Sequence, residues 1–236
     1  MKIIAHRCGT HNGLAENSVD AARRSLQTGA DCVELDIRFS RDGEATVIHD
    51  SDFRRLCGDV RRVADLDSHQ IERLAYRDPP AAHPLPFRAF LEAGIAPLLI
   101  DFKVGAEDLA RFLPMLAESE YLEKTVLGVR DLEALEAARR LQPSLRLLAF
   151  MKTAGDMVPF LEAGSDVIRL WDGWTDARAV EAVHAAGREV WVMTGGHGAD
   201  KVGLTTRERL EQLAALGVDG CLLNDVALGV AVRDGR

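Results

Sequence analysis

Apolar and polar positions alternate with period two from Cys32 to Phe39. Val33, Leu35, Ile37 and Phe39 fall on one face, and Cys32, Glu34, Asp36 and Arg38 on the other, because successive side chains of a strand point to opposite sides. Asp42-Gly43 and a second extended run ending at His49-Asp50 follow, a pattern that predicts a β-hairpin. A two-residue loop at Asp42-Gly43 sets His49 opposite Asp36, and a four-residue loop sets it opposite Glu34. A three-residue loop turns it away from the carboxylate face.

Elsewhere short apolar runs alternate with helical spacing. Strands are predicted at 2–6, 97–102, 124–129, 145–150, 166–170, 189–194 and 219–223, and helices at 17–28, 106–118, 131–141, 156–163, 175–186 and 206–215. Asn17 or Ser18 can cap the first helix, and Gly29, Gly164, Gly187 and Gly217 stand where helices stop. Residues 51–96 are less regular, with a Pro-rich DPPAAHPLP before a short helix near 87–93. With 45–49 as the returning arm of the hairpin, eight strands remain. Strand–helix alternation then predicts an α/β fold, a closed (β/α)8 TIM barrel forming one domain over 1–236. The hairpin and the short insertion at 51–96 lie at its C-terminal mouth. A doubly wound open sheet is the rival, but no GxGxxG follows the first strand.

Charge narrows the partners. The 236 residues carry a net charge of −8 with no basic run, which argues against a nucleic-acid partner. No apolar stretch approaches the roughly 20 residues of a membrane span. The opening MKIIAHR reads as a strand and lacks the apolar centre of a signal peptide, so the cytoplasm is the expected location. Cys8, Cys32, Cys57 and Cys221 are scattered without a CxxC, the pattern of reduced thiols. A nucleophilic role for Cys8 or Cys57 is the lesser reading.

In a barrel the chemistry gathers at the C-terminal strand ends. Those ends carry His6 and Arg7, Glu34 and Asp36, Asp101 and Lys103, Lys152, Arg169, Thr194, and Asn224 with Asp225. Strands that simply reach solvent account for Lys152, Arg169 and Asn224. They do not account for Asp101, which closes an apolar run and is expected to point inward. With Glu34 and Asp36 it makes an all-oxygen donor set suited to a divalent cation, Mg or Ca. Arg7 and Lys103 beside it suit phosphate oxygens, and the His49 imidazole is placed for proton transfer. Trp171 and Trp174 either line the pocket or pack at its rim.

The motifs HR near the N-terminus, AENS, GADCVELDIRFSRDGEATVIHD, LIDFK and GVDGCLLND give the chain its most specific likeness. It resembles the glycerophosphodiester phosphodiesterase family, within the phospholipase C-like phosphodiesterases, over nearly its whole length. The resemblance implies His6 and His49 as a general acid/base pair, Glu34, Asp36 and Asp101 as metal ligands, and Arg7 and Lys103 on the phosphate. It implies Glu16 as a supporting group or additional ligand, against a helix-capping role. The implied substrate is a small phosphodiester, cleaved to sn-glycerol 3-phosphate and an alcohol by water or by a neighbouring substrate hydroxyl; of the pair, we read His49 as the proton donor. The chain departs from the family pattern at several points. Cys8 separates His6-Arg7 from Gly9, Ala15 replaces a proline, Asp101 replaces a glutamate, Met193-Thr194-Gly195-Gly196 replaces a Trp-Thr-x-Asn, and the insertion at 51–96 is short. Two other functions compete on the same barrel. One is a sugar-phosphate isomerase, aldolase or decarboxylase using the loop Gly195-Gly196-His197-Gly198, and the other is a non-catalytic binder of a phosphorylated ligand. No pattern in the chain sets an oligomeric state.

Overall fold

Every second residue of eight parallel strands turns inward, and those strands close into a ring in the computed structural model, which describes residues 1–11, 13–196 and 201–236. The strands in chain order are β1 (Lys2–Ala5), β2 (Cys32–Phe39), β3 (Ala45–Val47), β4 (Leu85–Pro86), β5 (Leu98–Phe102), β6 (Thr125–Val129), β7 (Arg146–Phe150), β8 (Val167–Trp171), β9 (Glu189–Met193) and β10 (Gly220–Leu223). Around the ring β1 pairs with β2 on one side and β10 on the other, and β5 to β10 follow in order from β2. This is the closed (β/α)8 barrel expected from the sequence. β3 and β4 hang from the end of β2 as an antiparallel extension.

The two faces of each strand serve different cores. Outward residues such as Val33, Leu35, Ile100, Leu127 and Ile168 pack under the surrounding helices. Inward, Ile4, Cys32, Leu99, Val126, Leu148, Val167, Trp191 and Leu222 are buried together and fill the lower barrel. Above that apolar plug the inward positions become Glu34, Asp36, Asp101 and Arg169, all buried. The helices begin as their sequences direct. Ser18, Asp131, Asp176, Thr206 and Asp225 each accept a backbone N–H of the first turn. The helix Val226–Arg233 is absent from the sequence-based expectation. Its residues VALGVAVR are apolar on nearly every side, so no stripe marks it. Asp225, read there as a strand-end group, is its cap.

The hairpin corrects the expected register. Phe39 pairs with Ala45 and Ile37 with Val47, which leaves a three-residue loop, Arg41–Gly43. Gly43 adopts φ 86° there and donates its N–H to Ser40 O, the geometry in which a turn is completed by a left-handed residue. By strand parity this register would aim His49 away from Glu34 and Asp36. β3 ends at Val47, however, and the chain bends at once. Ile48 turns into a small separate core with Phe53, Val63, Leu66 and Ile71, while Arg38 Nε donates to His49 O at 2.9 Å. The bend returns the His49 ring to the barrel mouth. Residues 51–96 are thus held by their own apolar cluster.

Gly128, inward on β6, makes room for a ring. A Cβ there would lie 2.1 Å from Phe150 Cε2 and 3.1 Å from Ile100 O, so Phe150 lies across the bare backbone. Gly128→Ala is expected to lower stability by roughly 1–3 kcal/mol through overpacking, read as a lower urea midpoint. Adding Phe150→Leu should recover part of that loss; a Gly128→Ala midpoint equal to wild type would mean that the ring is free to move aside.

Candidate active site

Adjacent parallel strands bring the acids together. β2 and β5 pair with Asp36 opposite Asp101, and Glu34 stands one inward step below Asp36. One oxygen from each of Glu34, Asp36 and Asp101 lies within 4.8 Å of the others. None is more than 4 % exposed. Three buried carboxylates at this spacing repel one another and demand compensating charge.

Part of that charge is built in. Lys103 Nζ reaches Asp36 Oδ1 at 3.0 Å and also bonds Asp101, which Arg130 Nη2 holds from the other side. Asn17 works as an amide clamp: its Nδ2 donates to Asp36 Oδ2 at 2.8 Å and its Oδ1 accepts Asp36 N–H at 3.2 Å. Burial pushes the Asp36 carboxyl up, yet Lys103, His49, Arg7 and the Asn17 bond outweigh it, so it ionises below the usual range. Asp101 behaves alike, with burial opposed by Lys103 and Arg130. Glu34 does not. Burial and then the charges of Asp36 and Asp101 push its carboxyl well up, against Lys103 and the Arg7 N–H that it accepts at 2.6 Å. The donor set is therefore all oxygen, deeply buried and short of positive charge at Glu34, which fits a hard divalent cation.

The turn after β1 delivers the next groups. Arg7 (φ 48°), Cys8 (φ 68°) and Gly9 (φ 85°) follow one another in left-handed backbone, the path the chain takes to pass the extra Cys8 between His6-Arg7 and Gly9. The reversal aims Arg7 N–H at Glu34 and its guanidinium at Glu16 and Asp36. Cys8 is sealed beneath the site, where burial and then Glu34 and Asp36 raise its thiol well above normal. Full burial and neighbouring carboxylates are the surroundings of an unreactive thiol rather than of a nucleophile.

Two imidazoles face the same mouth from opposite arms. His6 Nδ1 is 2.8 Å from Asn224 Oδ1, which can only accept, so Nδ1 carries the proton and Nε2 keeps a lone pair. Asn224 is held in turn by its own donation to Val202 O at 2.9 Å. Burial first, then Arg7, pushes His6 down to about 4. His49 Nδ1 is 2.7 Å from Asp50 Oδ1. Asp50 accepts Arg55 Nε at 2.6 Å, and Arg55 Nη1 and Nη2 hold both oxygens of Glu16. Glu16 therefore stands in a surface chain of charges linking Arg7 to His49, outside the carboxylate cluster; Ser18, not Glu16, caps the first helix.

The cavity above the acids has two lobes sharing His6, Arg7, His49 and Val202. One, about 340 Å³, runs past Glu16, Asp50 and Arg55. The other, about 460 Å³, runs over Glu34, Asp101 and Lys103 to Arg38, Arg130, Phe150, Arg169, Trp171 and Met193. All the sequence-predicted site residues except Asp36, which lies just beneath, line one lobe or the other. Lys152 lines neither. Arg169 and Asn224, read from sequence as ordinary strand ends, belong to the site. Trp171 lines the larger lobe, and Trp174 packs on the outer core, edge-on to Trp171. Asn17, read as a possible helix cap, instead binds Asp36; Arg130 went unread, although it directly follows strand β6 and so obeys the strand-end rule. Of the loop Gly195-Gly196-His197-Gly198, His197 and Gly198 lie outside the described residues.

The sequence model of the glycerophosphoryl diester phosphodiesterase family matches residues 6–118. A glycerophosphodiester phosphodiesterase of Caldanaerobacter subterraneus is 24% identical over 159 residues, covering 61% of this chain and 64% of the relative; the match thus spans just under two thirds of that protein's length. The crystal structure of a glycerophosphodiester phosphodiesterase from Agrobacterium tumefaciens superposes with a TM-score of 0.81 at 26% identity, covering 99% of both chains. A phosphodiesterase of Oleispira antarctica, solved with the product sn-glycerol-3-phosphate, superposes at 0.83 with 16% identity, covering 99% of this chain and 97% of the other; at that identity the likeness is one of fold.

The strain at Glu34 is measurable. Its folded-state pKa lies above the ordinary 4.5, so the native state binds this proton more tightly than the unfolded chain does. The resulting penalty is absent below pH 4.5 and grows as pH rises from there to the raised folded-state value. In chelator, Glu34→Gln should therefore raise stability at pH 8 by on the order of 2 kcal/mol, with little gain at pH 4. An equal gain at both pH values would show that charge is not the cause.

Proposed function

Because the chain belongs to the glycerophosphoryl diester phosphodiesterase family, we propose that it hydrolyses glycerophosphodiesters to sn-glycerol 3-phosphate and an alcohol. The observation that carries this reading is the convergence of the Glu34, Asp36 and Asp101 oxygens beneath a cavity lined by both His6 and His49. Glu34, Asp36 and Asp101 would hold a divalent ion, Mg or Ca, whose bound charge supplies Lewis-acid stabilisation of the non-bridging phosphate oxygens. Everything else falls to the chain's own side chains.

Arg7 and Lys103 flank the acids and hold the phosphate, so its reacting face meets both imidazoles. His6 is neutral above its pKa of about 4, and its Nδ1–H donation to Asn224 leaves Nε2 free to take the proton of the attacking hydroxyl. His49 is oriented by Asp50, a carboxylate that compensates positive charge on the ring. His49 Nε2 is then the donor that protonates the departing alkoxide. Water serves as the nucleophile directly, or a substrate hydroxyl next to the phosphate closes a cyclic ester that water opens. Glu16 and Arg55 hold Asp50 and Arg7 in register without touching the reacting atoms. All four cysteines are free thiols, which supports the cytoplasm as the compartment. No helix among the described residues is long and apolar enough to cross a membrane.

With glycerophosphocholine as substrate, His6→Ala and His49→Ala should each lower kcat by about 100-fold or more. Isothermal titration should show both variants binding Mg or Ca as wild type does, and chelator should abolish wild-type turnover. Near-normal hydrolysis by both variants would remove the acid/base pair, and chelator-insensitive turnover would remove the metal.

A further inference from the structure

The larger lobe holds more positive charge than one phosphodiester needs. Arg7, Arg38, Lys103, Arg130 and Arg169 line it, against Glu34 and Asp101. The two acids face the cation site, and Arg7 and Lys103 suffice for the single negative charge of a diester. That leaves Arg38, Arg130 and Arg169 along the far wall, of which Arg130 is paired with Asp101 and Arg38 donates Nε to His49 O.

Arg169 is the least satisfied of them. It projects inward from β8 and is 3 % exposed, yet its Nε and Nη1 have no hydrogen-bond partner among the described residues. No carboxylate pairs with it among the described residues. Its guanidinium instead rests 4.3 Å from the Trp171 ring centroid and 5.2 Å from that of Phe150, contacts that fix the plane of the group and leave its edge N–H bonds unused. Phe150 also carries Arg130, 5.3 Å away. Two guanidinium groups on one ring repel each other; burial first, opposed by the Asp101 charge and aided by Arg130, pushes Arg169 down to about 10. Buried N–H groups left unpaired cost stability. A planar guanidinium edge matches two oxygens of a carboxylate or a phosphate. Gly128 is part of the same construction, since its missing side chain is what lets Phe150 lie beneath both arginines.

We propose that Arg169, with Arg130 and Arg38, forms a second anion subsite, and that the preferred substrate is a glycerophosphodiester bearing a further phosphate or carboxylate on its alcohol. This rests on the hydrolase reading above and specifies its substrate class. Arg169 is the specificity-determining residue, and Phe150 and Trp171 position it.

The test compares kcat/KM on four diesters in saturating Mg or Ca: glycerophosphoethanolamine and glycerophosphoglycerol without an added anion, glycerophosphoserine with a carboxylate, and glycerophosphoinositol 4-phosphate with a second phosphate. Wild type should favour at least one of the latter two by about 10- to 100-fold over glycerophosphoglycerol, the worth of one charge-assisted contact. Which of the two is preferred identifies the anion. Arg169→Met should collapse the ratio towards one, mainly through KM, and Arg169→Lys should restore part of it. The wild-type ratio stands even if Arg169→Met fails to fold. Equal rates on all four diesters would overturn the second subsite while leaving the hydrolase intact. Cleavage of none would overturn the hydrolase reading itself.

Discussion

Three carboxylates buried within one ion's reach of each other form the constraint on which this structure turns. Parallel pairing of β2 with β5 places Asp36 directly beside Asp101, and like charges at adjacent positions are unfavourable unless something lies between them. Lys103 and Arg130 neutralise Asp101, Lys103 and Asn17 hold Asp36, and Glu34 is left with a backbone N–H and an upward-shifted carboxyl. A deficit of positive charge concentrated at one carboxylate is a demand for a ligand. The apolar plug closes the barrel below the acids, so compensation can reach them only from the cavity above.

Two imidazoles face one cavity from different depths of the barrel. His6 ends β1 inside the rim, where burial keeps it neutral and Asn224, from the end of the adjacent β10, selects its tautomer. His49 sits on the outer arm, paired to Asp50, whose second oxygen is engaged by Arg55 from the insertion. The insertion is short, but its cluster of Ile48, Phe53, Val63, Leu66 and Ile71 makes it a rigid support. The same segment thus fixes one wall of the cavity and the orientation of one histidine.

Charge is distributed unevenly between the lobes. The smaller mixes Glu16 and Asp50 with Arg55, and the salt bridges among them leave little for a ligand to complete. The larger stacks Arg130 and Arg169 on the Phe150 ring, and of the two only Arg130 has a carboxylate partner, Asp101, among the described residues.

The alternating faces of residues 32–39 and the regular succession of strands and helices were legible by themselves, because periods of two and 3.6 are local properties of backbone geometry. So were the identities of His6, Arg7, Glu34, Asp36, His49, Asp101 and Lys103, since a charge closing an apolar run stands out against its neighbours. The one-dimensional pattern could not decide the path of His49, which depends on where β3 stops and on Ile48 finding a core of its own. Nor could it separate Arg169 and Asn224 from strand ends that merely reach water, or show that Asn17 clamps Asp36 while Ser18 takes the cap. Burial and partnership are relations between distant segments, and only closing the ring brought β1 to β10 and laid Phe150 over Gly128. Chain order supplied the reactive groups; tertiary packing decided which of them meet, which stay charged, and which are left waiting for a ligand.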